Sequence, residues 1–479
     1  MQKIGIQSMP EKSKQSAEKI KLSAKRRLVQ DQYGATYECS ELLGEGGQGK
    51  VWKTNHQNTL VKTFYRKDSD KEKRWFKHVQ WVLRQDLDGL AIAAPKALIT
   101  NPVPGYVMEL MEGLHSLSAE LEGSFISLID GKGLTGFLNT GGLKRRLNLL
   151  SELANTLARL HAKGLAYGDL SPSNIFVSER LKDARVWLID CDNICTNERS
   201  GWEHLHTPSY GAPEVVRGES GVNSLTDAWS FAVIAYQLLT LQHPLIGLLV
   251  EDGEPELEEQ AHRGELPWVL DPQDDRNKPT GGIHLDMVAT KSMQELFHRC
   301  FEEGRLSSWN RPTMSQWCNV IDQAISMLLD CHNAECKSTF IRGNSCPFCK
   351  TETDNTKSVL LTALVYSDDP VLEQKLMKTG YGKILNLGEK ISLKREPAGT
   401  TLFYESSEVC EISLDDNGLA LKVVPGNKII LLVNGKKQDL TRGLLLDYEK
   451  KQQQNYFLHL IQDQPSNEGT THPVWAFRW

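Results

Sequence analysis

Four glycines fall within the stretch LLGEGGQGKVWK at residues 42–53. Three of them, Gly44, Gly46 and Gly49, have the spacing G-x-G-x-x-G, and Val51 follows. Glycine loses more conformational entropy on folding than any other residue, so a cluster indicates either a flexible linker or a turn that approaches a phosphate. A dinucleotide-binding turn requires a helix directly after it. Because the β-like runs KVWKT and TLVKTF follow instead, the sequence predicts a strand, a glycine turn and two further strands.

Further segments downstream place charged or polar residues at the ends of apolar runs. In chain order they are LVKTF with Lys62, YVMELMEG with Glu109, YGDLSPSN with Asp169 and Asn174, VWLIDCDN with Asp190, TPSYGAPEV, TDAWSFA and NRPTMSQW. This series resembles the eukaryotic-type (Hanks-type) protein kinase family over about residues 33–330. A single motif of this kind is weak evidence, whereas seven in this order are specific.

The resemblance implies an α+β, bilobal fold with an N-lobe at 33–111 and a C-lobe at 112–330. Transfer of a γ-phosphoryl group depends on positioning and charge neutralisation. The glycine turn would cover the ATP phosphates and Lys62 would hold the α- and β-phosphates. The backbone of Glu109 to Met111 would meet adenine, with Met108 gating the pocket. The residues implied to bind ATP are therefore Gly44, Gly46, Gly49, Val51, Lys62, Met108, Glu109 and Met111.

In kinases this lysine pairs with a glutamate on the following helix. The segment SDKEKRWFKHVQWVLRQ predicts that helix, because Phe76, Val79 and Leu83 recur at helical spacing. Glu72 precedes Phe76 by four residues and so shares its face. We therefore predict an ion pair between Glu72 and Lys62. The alternative is that Glu72 is one surface charge in a lysine-rich run.

The resemblance also assigns the chemistry of transfer. Asp169 would accept the proton of the substrate hydroxyl, and Asn174 and Asp190 would hold Mg²⁺. An ordinary turn rich in Asp and Asn is the structural alternative for Asp169 and Asn174. Asp192 is a second candidate for the metal, but it stands at the family's glycine position. Asp190 directly ends the apolar strand, so we assign it the metal.

Other matches and departures concern the frame of the site. Glu214 and Arg311 match the family's buried ion pair, and Asp227 matches the helix aspartate that anchors the catalytic loop. Thr207, before Ala-Pro-Glu, follows the pattern of serine/threonine kinases. The departures from the family pattern are Tyr167-Gly168 for His-Arg, Ser171 for a lysine, Cys191-Asp192 for Phe-Gly, and Gln48 for an aromatic residue. Of the metal and phosphate ligands, only that lysine is lost.

Four cysteines form a cluster after the kinase-like region. Cys331, Cys336, Cys346 and Cys349 have the spacing C-x4-C-x9-C-x2-C. Two cysteine pairs at such spacing are typical of a tetrahedral zinc site, so we predict a structural zinc ribbon at 331–352. His332 is an alternative ligand to Cys331. Disulfides are the other alternative, but the chain shows no signal peptide and its ten cysteines suggest a reducing compartment.

The last part of the chain, at 358–479, is predicted to be β-rich and to follow a polar linker at 353–357. The stretch IILLVNGKKQDLTRGLLLDY resembles the end of a forkhead-associated domain, in which an Asn-Gly turn precedes a leucine, two residues and a glycine. Arg395 lies near that family's phosphate-binding arginine. The family's Ser-Arg-x-His motif is absent from this region. We predict a β-sandwich interaction domain.

Composition limits the remaining possibilities. Residues 1–32 form a predicted basic extension, in which positions 1–30 hold eight lysines and arginines against two glutamates. The net charge of −6 argues against general nucleic-acid binding. The most apolar stretch, WSFAVIAYQLLTLQHPLIGLLV, contains polar residues and a proline, and it predicts a buried helix rather than a membrane span. We expect a cytoplasmic protein.

Together these features predict an ATP- and Mg²⁺-dependent kinase that phosphorylates Ser/Thr hydroxyls of a protein partner. The alternatives are a pseudokinase scaffold and a small-molecule phosphotransferase of the aminoglycoside-kinase type. The combination of kinase, zinc ribbon and β domain resembles bacterial stress-response and tellurite-resistance-associated kinases. That resemblance implies a PP2C-type phosphatase and a von Willebrand A-type protein as partners.

Overall fold

The computed structural model describes residues 27–45, 49–64, 69–196, 207–354, 357–395, 407–450, 454–461 and 471–479. The chain divides into two compact units. The first runs to Leu114 and includes Trp187–Cys195, and the second comprises His115–Val186 and Thr196–Trp479. Within the described ranges, no helix has the length and apolar character needed to cross a membrane.

The first unit contains a closed sheet of six strands. They are β1 (Arg27–Asp31), β2 (Thr36–Glu45), β3 (Gly49–Thr54), β4 (Thr59–Phe64), β5 (Ala97–Asn101) and β6 (Gly105–Glu109). Their order is β1-β2-β3-β4-β6-β5, closed by pairing of β1 with β5. The predicted succession of strand, turn, strand and strand is confirmed, because β2 and β3 pair across the glycine segment and β4 pairs with β3.

Strand β1 lies within the segment that the sequence assigned to the basic extension. It pairs with β2 in regular antiparallel register. Val29 and Asp31 are buried, whereas the alternate side chains are exposed. The guanidinium of Arg27 lies 5.6 Å from the centre of the Trp52 ring. Residues 27–31 therefore belong to the sheet and not to the predicted extension, and the only basic residue of this strand, Arg27, lies on its exposed face.

Helix α1 (Ser69–Val82) is the helix predicted from the spacing of Phe76, Val79 and Leu83. It buries Val79 and Val82 and also Trp75, whose ring stacks on Phe64 with 4.6 Å between centroids. The helix thus packs against the sheet through an aromatic contact between Trp75 and Phe64, the last residue of β4.

The second unit begins with helices, which are α2 (Leu117–Ser127), a π-helix at Leu128–Lys132, α3 (Thr135–Asn139), α4 (Gly142–Ala162), α5 (Pro213–Val216), α6 (Ser224–Thr240), α7 (Leu248–Glu251), α8 (Pro255–His262), α9 (Leu285–Val288), α10 (Lys291–Phe301), α11 (Glu303–Leu306) and α12 (Met314–Ser326). Short 3₁₀ turns occur at Pro172–Asn174, Cys191–Asn193, Asp275–Asn277, Ser308–Asn310 and Tyr448–Lys450. The other short strands, some of which contain residues of both units, are β7 (Leu114–Ser116), β8 (Leu165–Ala166), β9 (Ile175–Ser178), β10 (Val186–Leu188) and β11 (Cys195–Thr196).

Two central helices form the core of this helical part. Helix α4 buries an apolar stripe in which Leu147, Ala154 and Leu157 are fully buried. Helix α6 is buried along nearly its whole length, as the apolar stretch predicted. Asn223 and Thr226 form a capping box that fixes the start of α6. Asp227 is thereby held in the first turn of a buried helix.

The remaining strands form a hairpin and two sheets. They are β12 (Leu328–Asp330), β13 (Thr339–Ile341), β14 (Ser358–Ser367), β15 (Leu376–Asn386), β16 (Lys390–Lys394), β17 (Glu408–Asp415), β18 (Gly418–Val423), β19 (Ile429–Val433), β20 (Lys436–Leu440), β21 (Gly443–Asp447), β22 (Asn455–His459) and β23 (Thr471–Arg478). One sheet has the order β15-β14-β23-β22-β19-β20 and the other β16-β17-β18-β21. Both sheets contribute to one buried core, which includes Leu361, Ile412, Leu458 and Trp479. The predicted β-rich region is confirmed.

Candidate active site

Gly44 and Gly49, in the hairpin formed by β2 and β3, differ in the space around them. A Cβ on Gly49 would lie 2.3 Å from the Thr63 carbonyl oxygen, so the close approach of β3 to β4 already requires glycine there. A Cβ on Gly44 would meet no atom within 4 Å, so the space next to it is open. Gly46 lies outside the described residues. The hairpin therefore has room beside Gly44, whereas Gly49 serves the sheet itself.

Lys62 lies on β4 with its ammonium group between two carboxylates. Its Nζ contacts Asp190 Oδ1 and lies 2.8 Å from Asp192 Oδ2. Burial alone would lower the pKa of Lys62, but the charges of Asp192 and Asp190 outweigh it, and the pKa is raised above its ordinary value. Lys62 is therefore a fixed cation at pH 7.

Asp190 stands at the end of an apolar segment that is hydrogen-bonded to residues 91–93 of the first unit. The Leu188 amide donates to the Ala91 carbonyl, and the Ala93 amide donates to the Leu188 carbonyl, each at 2.8 Å. Asp190 itself has a left-handed backbone with φ of 60°. Its side chain is 33% exposed, whereas that of Asp192 is 1% exposed. Of the two carboxylates at Lys62, only that of Asp190 is open to a cation.

Glu72 does not make the predicted ion pair in this structure. The carboxylates that Lys62 contacts among the described residues are those of Asp190 and Asp192. Glu72 is half-buried in the first turn of α1. A contact of Glu72 with Lys62 thus remains a prediction, and no motif had placed Asp192 beside the lysine.

The end of β6 carries the residues predicted to bind adenine. Met108 is buried in the core that also holds Tyr106 and Trp75. Glu109 is exposed at the strand end, and the amide of Leu110 donates to the Asn58 carbonyl at 2.9 Å. Val51 and Leu110 pack at the margin of the same core. Contact of these groups with adenine remains a prediction.

The second unit brings together Asp169, Asn174 and Thr207. The Asn174 amide nitrogen donates to the Asp169 carbonyl at 2.9 Å and to its Oδ2 at 3.3 Å. The Thr207 hydroxyl and amide both donate to Asp169 Oδ1, each at 2.8 Å. Because Asn174 donates through nitrogen, its amide oxygen is the atom left to face a cation. The Asp169 carboxylate is thus oriented through both of its oxygens.

Asp227 anchors the segment that precedes Asp169. Its carboxylate accepts from the amides of Tyr167 at 2.6 Å and Gly168 at 2.9 Å, and it lies 3.0 Å from His161 Nε2. Gly168 has φ of 92°, which suits glycine in particular. Arg311 makes a bidentate pair with Glu214, at 2.6 and 2.7 Å, and its guanidinium is fully buried. These contacts match the framework that the sequence predicted for Asp227, Glu214 and Arg311.

A family model for the protein kinase domain matches residues 37–320, which is more than half of the chain. The chain belongs to the protein kinase family. The serine/threonine-protein kinase pkn2 of Myxococcus xanthus is 30% identical over 174 residues, which are 34% of this chain and 20% of that protein.

Further kinases match over a larger share of the chain. The serine/threonine-protein kinase PkaA of Streptomyces coelicolor is 25% identical over 225 residues, 45% of this chain and 40% of that protein. The serine/threonine-protein kinase AtPK1/AtPK6 of Arabidopsis thaliana is 26% identical over 225 residues, 44% of this chain and 43% of that protein. This kinase chain spans less than half the length of each of these relatives.

A small open depression in the kinase domain adjoins Asp169. Its lining is polar at Asp169 and Thr207 and apolar at Ala212, Val215 and Val222.

His243 is a buried neutral histidine that contacts the backbone at Ser209. Its Nε2 lies 3.0 Å from the Ser209 carbonyl, and its Nδ1 accepts from the Leu245 amide at 3.2 Å. Burial, together with the nearby His262, lowers the pKa of His243 to about 3. His243 is therefore neutral in the folded protein above about pH 3.

We expect His243 to make stability depend on pH. Below its ordinary pKa of 6.5 the unfolded chain binds a proton that the folded chain excludes, so stability falls by about 1.4 kcal/mol for each pH unit between 6.5 and 3. Urea unfolding at pH 7 and pH 5 measures this loss, and His243→Gln, which keeps a donor for Ser209, should reduce it. An equal loss in both proteins would contradict the assignment.

The four cysteines predicted to bind zinc converge in the second unit. Their sulfur atoms lie within 4.8 Å of one another, with 3.5 Å from Cys331 to Cys349 and 3.9 Å from Cys336 to Cys346. Four sulfurs about 2.3 Å from one Zn²⁺ would be about 3.8 Å apart in a tetrahedron. All four are free thiols in the structure. Hydrogen bonding to Thr351 lowers the pKa of Cys349 to about 6. The site fits Zn²⁺.

This cysteine site shares its core with the β region. Leu329 and Phe340 from the β12–β13 hairpin, Cys346, and Ile384 from β15 form one buried cluster. The Asn386 amide donates to the Leu328 carbonyl at 3.2 Å, and Lys144 on α4 lies 3.3 Å from Glu389. The cysteine segment is thus packed between helical and β parts of the same unit.

Proposed function

We propose that this chain is an ATP- and Mg²⁺-dependent protein kinase that transfers the γ-phosphate to serine or threonine hydroxyls of a protein partner. The observation that carries this proposal is the Asp169 carboxylate, which accepts two hydrogen bonds from Thr207 and one from Asn174. A carboxylate oriented in this way is suited to accept a hydroxyl proton. The kinase relatives, whose names describe serine/threonine-protein kinases, support the same class of reaction.

Each of the proposed site residues has a distinct role in this reaction. The substrate oxygen attacks the γ-phosphorus, the bond to the β–γ bridging oxygen breaks, and the hydroxyl proton passes to Asp169. Lys62 neutralises charge on the phosphates. Asn174 and Asp190 would hold Mg²⁺, which supplies charge neutralisation on the phosphate oxygens when bound. Glu109 to Met111 would orient adenine.

The substrate class separates this proposal from its alternatives. Purified protein should be incubated with γ-labelled ATP and, in parallel, with a dephosphorylated protein substrate and an aminoglycoside. We expect label on the protein alone. Label on the aminoglycoside alone would indicate a small-molecule phosphotransferase, and ATP binding without any transfer would indicate a pseudokinase scaffold. The segment Ala212-Pro213-Glu214 and its partner Arg311, which the aminoglycoside-kinase class lacks, support a peptide substrate.

We predict that activity does not depend on phosphorylation between Cys191 and Tyr210. In many kinases the arginine before the catalytic aspartate receives an activation-segment phosphate. Gly168, which stands at that position, has no side chain to receive one. Thr196→Ala with Ser200→Ala, followed by phosphatase treatment, should leave the rate on an added substrate within tenfold. Ser200 lies outside the described residues.

A larger fall in rate would contradict this prediction. A tenfold loss corresponds to about 1.4 kcal/mol of barrier. It would mean that another cation binds the phosphate in place of the missing arginine, and Arg185 and Arg199 would be examined first. An unchanged rate would indicate control from outside the segment, with the basic extension and the β domain as candidates.

We further propose that Cys331, Cys336, Cys346 and Cys349 hold a structural Zn²⁺. Support comes from four converging thiols, from their spacing, and from the small apolar core around them. A closed set of four thiolates leaves no open position for a substrate, so the metal would stabilise the fold and take no part in phosphoryl transfer.

For the β domain we propose a forkhead-associated-like sandwich that binds a protein partner. Support comes from the two-sheet arrangement and from the turn at Asn434 and Gly435, where both residues have positive φ. Leu440 ends β20 and Gly443 begins β21 in the other sheet, which is the leucine-to-glycine step of the resemblance. Arg395 contacts Asn427. A PP2C-type phosphatase and a von Willebrand A-type protein are the partners that the architecture suggests.

A further inference from the structure

Asp192 is a buried carboxylate with three donors from three different elements. Its Oδ2 accepts from Lys62 Nζ on β4 at 2.8 Å and from Trp75 Nε1 on α1 at 2.9 Å. Its Oδ1 accepts from the hydroxyl of Tyr106 on β6. All four side chains lie in the first unit, and each residue is at most 7% exposed.

Such an arrangement is costly unless every group is satisfied. A carboxylate taken out of water loses its hydrogen bonds to water. Charged or polar donors of the protein must replace those hydrogen bonds. Here an ammonium, an indole N–H and a phenol supply those donors. Charge-assisted hydrogen bonds of this kind are stronger than neutral ones, and they fix the geometry of both partners. Asp192 is thus the group that sets where the Lys62 ammonium lies.

The same contacts leave Asp192 unsuited to bind Mg²⁺. Each of its oxygens already accepts from the protein, and its side chain is 1% exposed. Asp190, the other carboxylate at Lys62, is 33% exposed. A cation that recruits Asp190 would draw that carboxylate toward itself, and Asp192 would remain as the fixed partner of the lysine.

Helix α1 reaches Lys62 through Trp75. The indole lies one helical turn after Glu72, stacks on Phe64 beside β4, and donates to Asp192. A carboxylate on the helix would join helix and lysine directly. In this chain the helix is linked to Lys62 in two steps. Trp75 on α1 donates a hydrogen bond to Asp192, and Asp192 contacts Lys62.

We propose that Asp192, held by Trp75 and Tyr106, is the residue that positions Lys62 for the ATP phosphates and takes the place expected for Glu72. This inference rests on the proposed kinase function. It assigns Asp192 to positioning, not to the metal. It also makes the position of α1 a determinant of nucleotide binding through Trp75.

The first test is a double-mutant cycle on ATP affinity. Lys62→Met, Asp192→Asn and the double variant are compared with the wild type and with Asp88→Asn, a control in which the side chain is 93% exposed. We expect Asp192→Asn to weaken MgATP binding at least about tenfold, and the double variant to bind as Lys62→Met does. Fully additive losses, or unchanged affinity in Asp192→Asn, would overturn the proposal.

Binding and turnover together distinguish this proposal from the proposed function. If the wild type binds MgATP but transfers no phosphate, the kinase assignment fails, and the affinity cycle still decides the role of Asp192. If transfer occurs, kcat and KM for ATP should both change in Asp192→Asn. A loss no larger than that of Glu72→Gln would overturn the proposal.

A milder variant covers the case in which Asp192→Asn fails to fold. Tyr106→Phe removes one hydroxyl and keeps the ring, and we expect it to raise KM for ATP severalfold without shifting the Mg²⁺ concentration for half-maximal rate. A shift in Mg²⁺ requirement, with KM for ATP at saturating Mg²⁺ unchanged, would mean that Asp192 serves the metal, and it would overturn the proposal. Near-UV circular dichroism checks the fold of each variant.

Discussion

Asp169→Asn is expected to lower the rate of phosphoryl transfer by at least about 10³-fold, or roughly 4 kcal/mol of barrier, while ATP affinity stays within about threefold. The amide oxygen still accepts from Thr207, and Asn174 still donates to the backbone carbonyl of residue 169, so the loop keeps most of its hydrogen bonds. The amide cannot take up the substrate proton at neutral pH, so general-base catalysis is lost. Steady-state kinetics with a protein substrate, together with MgATP binding, measure the two effects separately.

The control for this prediction is Asp252→Asn, the same chemical change at an exposed position of the second unit. It should leave the rate unchanged. Lys62→Met and Asp190→Ala should also abolish transfer, because each removes a charge placed for the phosphates or their metal. Turnover near the wild-type rate in Asp169→Asn would remove Asp169 from the chemistry. Turnover retained in Asp190→Ala would move the metal role to Asp192 and contradict the assignment of Asp190.

Cys346→Ser is expected to unfold the cysteine segment at 331–349. Cys346 is 1% exposed and packs against Leu329, Phe340 and Ile384, so loss of its thiolate removes a metal ligand inside a shared core. Loss of a structural metal is among the few changes that cost more than about 4 kcal/mol. Metal analysis should find about one Zn²⁺ per wild-type chain, and hydrogen exchange should show lost protection over this segment.

Cys318→Ser is the matched control, because Cys318 is also buried but lies on α12, away from the cluster. It should keep its zinc and its exchange protection. Both variants should bind nucleotide, since the proposed ATP ligands belong to other parts of the chain. Wild-type protein that contains no zinc when prepared without chelator would contradict the metal assignment.

Local pattern was sufficient to predict much of the fold. The spacing of Phe76, Val79 and Leu83 predicted α1, and the apolar stretch that begins at Trp229 predicted the buried helix α6. Three strands of the β domain have no clear strand pattern of their own. Strand β15 contains two glycines, β20 is almost wholly exposed, and β23 contains Pro473. Their pairing with distant strands, rather than their own composition, makes them strands.

The site was predictable where one residue carries one role. Asp169, Asn174 and Thr207 occupy neighbouring positions because the loop is anchored by Asp227, and each was assigned from its motif. The environment of Lys62 was not predictable in the same way. Asp192 and Trp75 are 117 positions apart, and no spacing rule joins them. Their contact depends on the packing of a helix, two strands and a 3₁₀ turn within one unit.

The central claim is that this chain transfers the γ-phosphate of ATP to a protein hydroxyl. Its most direct test is incubation with γ-labelled ATP, Mg²⁺ and a protein substrate, followed by identification of the labelled residue, with Asp190→Ala in parallel. The account predicts labelled serine or threonine with the wild type and none above background with the variant. Equal labelling by both proteins, or no labelling by a wild type that binds MgATP, would contradict it.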